Sequence, residues 1–297
     1  MKETIIYFPK RLARNYISEL IRKTNFIYSL EGKRKPHVYF VVREITEMDL
    51  LGVLVVYKIL EYSYKQGCFN SPTFHRVGES FNKYVKRFGF GSLIAECFKD
   101  TEKAYNSLKT DTIEGFLVAP MALNNDAVET EKLVNDTMQK IEQYLEDKDL
   151  PNTSDTCIMV SVVLSELFGN FYAHANDKTN SIIVVRGNNQ HIQISCADTG
   201  LGIIDTLKTI DHYKTKDEEY VLRQAIKKGV TSKPGTFHMG QGLWLIDDIV
   251  SRNSGQLFIY TQSVNYINSH KKKNICSVPK WNGTIIDIIL DIKNPCY

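Results

Sequence analysis

Residues 165–174 read SELFGNFYAH, and three polar side chains in this stretch recur every four positions. Glu166, Asn170 and His174 therefore share one face of a predicted helix, because four residues advance only about 40° around the helix axis. An amide oxygen such as that of Asn170 is a ligand that Mg²⁺ accepts, and a carboxylate such as that of Glu166 can hold or deprotonate a water. A polar helix face that meets solvent explains the same spacing, so this stretch alone leaves both interpretations open.

Two runs of β-forming residues follow, 181–186 and 191–197, joined by Gly187-Asn188-Asn189. This pattern predicts a β-hairpin. The second strand runs into Asp198, which begins an Asp-x-Gly-x-Gly sequence. Its glycines would let the backbone turn sharply beside a ligand, and a carboxylate there can accept a hydrogen bond from an exocyclic amine such as that of adenine. A plain turn accounts for the same residues.

Residues 235–243 read GTFHMGQGL and lead into a predicted helix from Gly242 to Arg252. Glycines before a helix N-terminus expose backbone N–H groups, which together with the helix dipole favour a bound phosphate. A flexible linker with a glycine cap is the alternative, because glycine-rich loops are common.

Taken together and in this order, the three clusters resemble the Bergerat-fold (GHKL) ATPase superfamily of gyrase, heat-shock chaperones, histidine kinases and MutL proteins. The likeness covers roughly residues 130–292. Residues 225–234, AIKKGVTSKP, are similar to the superfamily's nucleotide lid. The matching boxes are Glu166, Asn170 and His174; Asp198, Gly200 and Gly202; and Gly240, Gly242 and Leu243. His238 stands where many relatives have a further glycine, and we interpret it as a surface residue of the loop.

The resemblance implies a site for ATP and Mg²⁺. It assigns Glu166 the catalytic role of positioning or activating the attacking nucleophile, and it makes Asn170 the metal ligand. Asp198 would bind the adenine amine, with Thr284 beside it. The remaining predicted nucleotide contacts are Gly200, Gly202, the lid residues Thr231, Ser232 and Lys233, and the phosphate-binding residues Gly240, Gln241, Gly242 and Leu243.

The front of the chain carries a weaker likeness. Residues 38–56 read VYFVVREITEMDLLGVLVV, a strand, a short loop and an apolar helix, and they resemble a STAS-type domain over about residues 35–110. STAS domains often partner Bergerat-fold serine kinases in anti-sigma switches. The phosphorylated serine of that family would fall near Leu50 or Leu51, and neither can accept a phosphate. The resemblance therefore implies a docking or signalling module, and a structural α/β cap is the alternative.

The length of 297 residues predicts about two domains. We expect an α/β fold with a small STAS-like unit over 1–125 and an α/β sandwich of the Bergerat type over 126–297. The net charge of +3 is too small to indicate binding to nucleic acid or to an anionic membrane. Six cysteines without a CxxC pair or metal spacing favour reduced thiols and a cytoplasmic location.

Further predictions concern local structure. The spacing of apolar residues predicts a helix over 12–26, and strands over 256–262 and 284–292. The polar residues 263–282 between those strands predict a long, mobile hairpin connection.

Three functions are compatible with these residues. The first is an ATPase whose bound nucleotide switches its conformation or its association with a partner protein or a second copy. The second is a serine/threonine kinase of the anti-sigma type that acts on a separate partner. The third is an ATP sensor without turnover.

Overall fold

A computed structural model describes residues 3–29, 37–42, 44–65, 73–97, 115–123, 127–148, 153–174, 181–232 and 240–293. It separates into two compact units, Met1–Glu114 with Pro279–Trp281, and Gly115–Val278 with Asn282–Tyr297. The division comes earlier than the predicted boundary at residue 125. The reason is the strand Phe116–Leu123, which the sequence patterns did not reveal and which pairs with the sheet of the second unit.

The first unit is built on short parallel strands. Parallel pairing requires a crossover between strands, and helices supply it here. A three-stranded sheet has the order β1-β3-β5, and β2 pairs with β4. The strands are β1 (Glu3–Tyr7), β2 (Arg11–Leu12), β3 (His37–Val42), β4 (Glu47–Met48) and β5 (Thr73–Val77). The helices are α1 (Ile17–Thr24), α2 (Leu50–Lys65), α3 (Glu79–Arg87) and α4 (Gly91–Glu96), with 3-10 turns at Arg14–Tyr16 and Asn25–Ser29.

Helix α2 is buried around its whole circumference from Leu50 to Ser63, which explains its nearly continuous apolar sequence. The side chain of Asp49 caps it by accepting hydrogen bonds from the backbone N–H of Gly52 and of Arg14, both at 2.8 Å. Lys58 and Glu61 form an ion pair inside the unit. Burial alone would raise the pKa of Glu61, but the charge and hydrogen bond of Lys58 hold that pKa below its usual value.

Gly52 marks the closest packing of α2, and we expect Gly52→Ala to destabilise the protein. A Cβ at this position would lie 1.6 Å from the backbone oxygen of Leu12 on β2, so strand and helix would have to separate. Overpacking of this kind costs typically about 1–3 kcal/mol, and a backbone obstacle places the expected loss at the upper end. Urea denaturation should show a lower midpoint than wild type, and an unchanged midpoint would contradict the described packing.

The second unit contains one antiparallel sheet of order β6-β7-β8-β10-β9. Its strands are β6 (Phe116–Leu123), β7 (Ser181–Gly187), β8 (His191–Ala197), β9 (Gln256–Ser269) and β10 (Lys272–Asp291). Its helices are α5 (Ala127–Glu146), α6 (Thr153–His174), α7 (Gly202–Leu207), α8 (Asp211–Lys214), α9 (Glu218–Ala225) and α10 (Gly242–Arg252). The α/β class of the chain is therefore as predicted.

The core of this unit lies between one face of the sheet and its helices. Side chains alternate along a strand, so every second residue of β8 and β10 points toward the helices. Ile194 and Cys196 on β8 and Ile286 and Ile288 on β10 are fully or almost fully buried in this layer. Val163, Leu164, Leu167, Phe168 and Phe171 of α6 fill it from the other side. The polar residues Glu166 and Asn170 therefore lie on the remaining, half-buried face of α6.

Two local predictions are wrong. The predicted helix over 12–26 is shorter, because Leu12 pairs with Met48 in a strand and the α-helix begins only at Ile17. Residues 263–282 are not a loop, because β9 and β10 continue through them to a turn at His270-Lys271.

The extended hairpin is stabilised by side chains that look like loop residues in the sequence. Val264 and Tyr266 are only 2% and 1% exposed. The side-chain amide of Asn268 donates to Asp247 at 2.8 Å. Because this N–H donor is satisfied by a partner in the fold, a polar residue is accommodated in a buried strand.

Within the described residues, no helix is both long enough and apolar enough to cross a membrane. The four cysteines in the described part of the chain, Cys97, Cys157, Cys196 and Cys276, are free thiols.

Candidate functional site

A cavity in the second unit brings together residues from all three sequence clusters. They come from α6, from the turn after β8, from the start of α10, from the segment after α9 and from β10. The predicted site residues that line it are Glu166, Asn170, Asp198, Gly202, Thr231, Ser232, Gly240, Gly242, Leu243 and Thr284. Segments more than a hundred residues apart in the chain thus meet in one place.

Asp198 lines the cavity and is 6% exposed. Its backbone N–H donates to the carbonyl of Thr284 at 2.9 Å, which continues the pairing of β8 with β10. Its Oδ1 accepts a hydrogen bond from the N–H of Gly200 at 2.6 Å. Gly283, at φ 104°, lies so close that a Cβ there would be 2.6 Å from Asp198 Oδ1. The carboxylate is therefore fixed in direction by the turn and by its glycine neighbour.

A polar network holds the Asp-x-Gly-x-Gly turn against β9. Gly202 has φ 77°, and a Cβ there would be 2.4 Å from the side-chain nitrogen of Gln262. Gln262 donates to the carbonyl of Leu201 and accepts from the N–H of Ile204 at 3.3 Å. Thr261 accepts from the N–H of Ile203 at 3.1 Å. Gln262 itself has a positive φ of 45°, a strained conformation for a non-glycine residue.

Another part of the cavity lining is the start of α10, which lies beside α6. Gly242 is the first residue of α10, and a Cβ on it would lie 2.5 Å from Glu166 Oε2 and 3.4 Å from Asn170 Nδ2. Gln241, the N-cap residue, makes no capping hydrogen bond with its side chain. Such a helix end presents backbone N–H groups that are not satisfied within the helix and that suit an anion.

The predicted lid segment is attached to the glycine-rich loop through the backbone. The N–H of Gly229 donates to the carbonyl of Gly240 at 2.9 Å. Gly240 has φ 65°, and a Cβ there would lie within 2.7 Å of three backbone atoms of Val230. Only glycine fits this contact, which accounts for its place in the motif.

Burial, with Asp287 and Asp198 nearby, raises the pKa of the Cys196 thiol. Cys196 therefore stays protonated in the core behind the cavity and is not a nucleophile.

Two predicted site residues position the site but do not line the cavity. Gly200 holds the Asp198 carboxylate, and Gln241 is the N-cap of α10. Lys233 and His238 lie outside the described residues, and the same applies to the side chain of His174.

Sequence analysis missed several lining residues. Ile203, Thr206 and Leu207 belong to α7, a six-residue helix that was not predicted. Had α7 been predicted, the spacing of three and four positions among these residues would have placed them on one face of the helix. Ile286 lies two positions after Thr284 and so shares its face of β10. The other lining residues are Gly169, Phe171, Ala225 and Val230.

Asn170 suits the predicted magnesium ion. Its side-chain nitrogen is buried and has no hydrogen-bond partner among the described residues. A half-turn of the amide exchanges this nitrogen with the oxygen, which is an acceptable ligand for Mg²⁺. The described residues contain no group of three or more His, Cys, Asp or Glu side chains that could hold a metal. Mg²⁺ is commonly held by one or two carboxylates together with substrate phosphates and waters, and here the Asn170 amide would take the place of a carboxylate.

We expect Gly242→Ala to change the site without unfolding the protein. The added Cβ would displace the Glu166 carboxylate, which is the movable end of a side chain, and alanine is favourable in a helix. In the ATPase that the sequence resemblance predicts, turnover should fall at least about tenfold, as expected for a misplaced catalytic group. The urea midpoint should stay equal to or above that of wild type. Full activity in this variant would show that the Gly242–Glu166 contact has no catalytic importance.

No protein-family model matches the chain, and no curated protein matches it.

Proposed function

We propose that the second unit binds ATP with Mg²⁺ and hydrolyses it, and that the bound nucleotide switches the conformation or the partner binding of the chain. The observation that carries this proposal is that three separate segments converge on one cavity: α6 with Glu166 and Asn170, the turn after β8 with Asp198, and the start of α10 with Gly242. Each segment has a plain alternative explanation when taken alone. Those alternatives give no reason for the segments to meet.

The part of the cavity lined by the buried Asp198 would take the base. A fixed carboxylate at Asp198 accepts a hydrogen bond from the adenine amine, and Thr284 lies beside it. Ile203, Leu207 and Ile286 supply apolar surface for the purine ring. Guanine has a carbonyl oxygen in place of the amine, so the Asp198 carboxylate would repel it.

The part of the cavity lined by the start of α10 would take the phosphates. The first N–H groups of α10 bind phosphate oxygens, and Thr231 and Ser232 offer hydroxyl donors from the lid. Asn170 would hold Mg²⁺, which neutralises phosphate charge when bound. Glu166, one helical turn before Asn170, would orient and deprotonate the attacking water.

The test is incubation of the full chain with Mg²⁺ and ATP labelled at the γ-phosphate, with Glu166→Ala as the blank. The proposal predicts labelled inorganic phosphate well above the blank. Equal phosphate release by the two proteins would reject hydrolysis. ATP binding without release would leave the nucleotide sensor as the function of this site.

A second candidate is transfer of the phosphate to a serine or threonine of another protein. Its motivation is the resemblance of residues 35–110 to a STAS-type domain. Leu50 and Leu51 at the start of α2 are at most 1% exposed and carry no hydroxyl. An acceptor would therefore have to come from a partner. Adding cell extract to the same incubation should then move label onto a partner protein, and absence of such label argues against transfer.

A further inference from the structure

A second cleft lies on the surface of the same unit, formed by the end of α9, the residues after it, α10 and β10. It is strongly basic and has an aromatic ring in its wall. Its basic and apolar lining consists of Arg223, Ile226, Lys227, Lys228, Trp244 and Lys273. None of these residues lines the predicted nucleotide cavity.

The two carboxylates in the cleft, Asp247 and Asp248, are already engaged. Asp247 is 4% exposed and accepts from the hydroxyl of Tyr266 at 2.5 Å and from the ammonium of Lys273 at 2.6 Å. Asp248 pairs with Arg252 at 2.7 Å. These carboxylates therefore neutralise Lys273 and Arg252, and they leave the remaining cations of the cleft unopposed.

Those remaining cations are Arg223, Lys227 and Lys228, and all three are exposed. Within the described part of the chain none of them forms a salt bridge. The ammonium of Lys228 lies 4.8 Å from the ring centre of Trp244. This contact keeps a positive charge at the edge of an apolar surface that is itself only partly buried.

We propose that this cleft docks an acidic peptide segment of a partner protein. Carboxylates of the segment pair with Arg223, Lys227 and Lys228, and its aliphatic parts pack on Trp244 and Ile226. Aromatic residues and arginine beside an apolar floor are the composition of protein-binding sites. Three unopposed cations match a short run of carboxylates.

The charge distribution favours a peptide over nucleic acid. A nucleic acid backbone needs an extended basic surface, and the whole chain carries a net charge of only +3. The cleft itself also contains two carboxylates, Asp247 and Asp248, which a nucleic acid backbone would not favour.

The cleft and the nucleotide cavity share the same backbone segments. Ala225 and Val230 line the cavity, and Lys227 and Lys228 lie between them in the chain. Leu243 lines the cavity and the next residue, Trp244, lines the cleft. An effect of ATP on docking would depend on the proposed ATP-binding function. Docking of the peptide itself does not depend on that function. The test is therefore made without nucleotide.

The experiment measures binding of a fluorescein-labelled octaglutamate peptide to the full chain by anisotropy at low salt. The test variant is Arg223→Glu with Lys227→Glu and Lys228→Glu. Its matched control changes three exposed lysines outside the cleft by the same total charge, Lys132→Glu with Lys140→Glu and Lys214→Glu. Trp244 gives a second readout, because the other tryptophan, Trp281, is fully buried.

The proposal predicts that wild type binds the peptide with a change in Trp244 emission. The cleft variant should bind at least about tenfold more weakly, and the control should stay within about twofold of wild type. Absence of binding to wild type, or equal losses in both variants, overturns the proposal. Stronger binding of an eight-nucleotide thymidine oligomer than of the peptide, lost in the cleft variant, would overturn it in favour of nucleic acid.

Discussion

Asp198→Asn should abolish most of the affinity for ATP. The substitution keeps the shape of the side chain and an oxygen that can accept from the N–H of Gly200, so the turn should survive. It removes the negative charge that would accept from the adenine amine, and it introduces a donor facing that amine. Loss of a charge-assisted hydrogen bond in a buried site costs about 2 kcal/mol. This corresponds to a dissociation constant roughly thirtyfold higher.

Titration with a fluorescent ATP analogue, followed by displacement with unlabelled ATP, measures this change. Asp211→Asn is the matched control, because Asp211 is an exposed carboxylate on α8 that does not line the cavity. The control should bind like wild type. Equal affinity in the Asp198 variant would mean that Asp198 does not bind the base.

Glu166→Gln should separate turnover from binding. The amide preserves the size of the side chain beside Gly242 but cannot accept a proton from water. General-base catalysis contributes typically about 10²- to 10⁴-fold, so ATP hydrolysis should fall by that factor. The dissociation constant for ATP should change little, because phosphate binding is assigned to the N–H groups of α10.

Steady-state phosphate release and nucleotide binding are measured on the same preparation, with Glu142→Gln as the control. Glu142 is an exposed carboxylate on α5, outside the cavity. Unchanged hydrolysis in the Glu166 variant would remove Glu166 from the reaction. Loss of binding together with loss of hydrolysis would instead make it a structural residue of the cavity.

The sequence predicted the elements that position the site because their signals are local. The i, i+4 spacing of Glu166 and Asn170 and the glycines of the two turns follow directly from helix geometry and backbone sterics. The hairpin signal at 187–189 is equally local: the side chain of Asn188 accepts from the N–H of Gln190 and of His191, both at 2.8 Å. Such features need no knowledge of the tertiary fold.

The elements that were missed depend on distant partners. Helix α7 is only six residues long, and its first N–H groups are held by Thr261 and Gln262, almost sixty residues away. The sequence of β6 is an apolar segment without a strand signal of its own, and its strand conformation depends on pairing with β7. The polar half of β9 is stabilised by Asp247 on α10. No local sequence pattern predicts these long-range hydrogen bonds.

The two units also differ in how far their function could be predicted. The second carries polar residues at spacings that chemistry requires, and these residues meet in a cavity. In the first unit the described polar groups mainly complete the fold. Asp49 caps α2, and Lys58 and Glu61 neutralise each other inside it. The STAS-like interpretation of this unit remains a prediction.

Calorimetric titration of ATP into the folded 297-residue chain tests the central claim most directly. With Mg²⁺ present, we predict saturable binding of one ATP per chain, and weaker binding when the metal is removed with a chelator. A chain that is folded by circular dichroism and yet takes up no adenine nucleotide in the presence of Mg²⁺ would contradict the account.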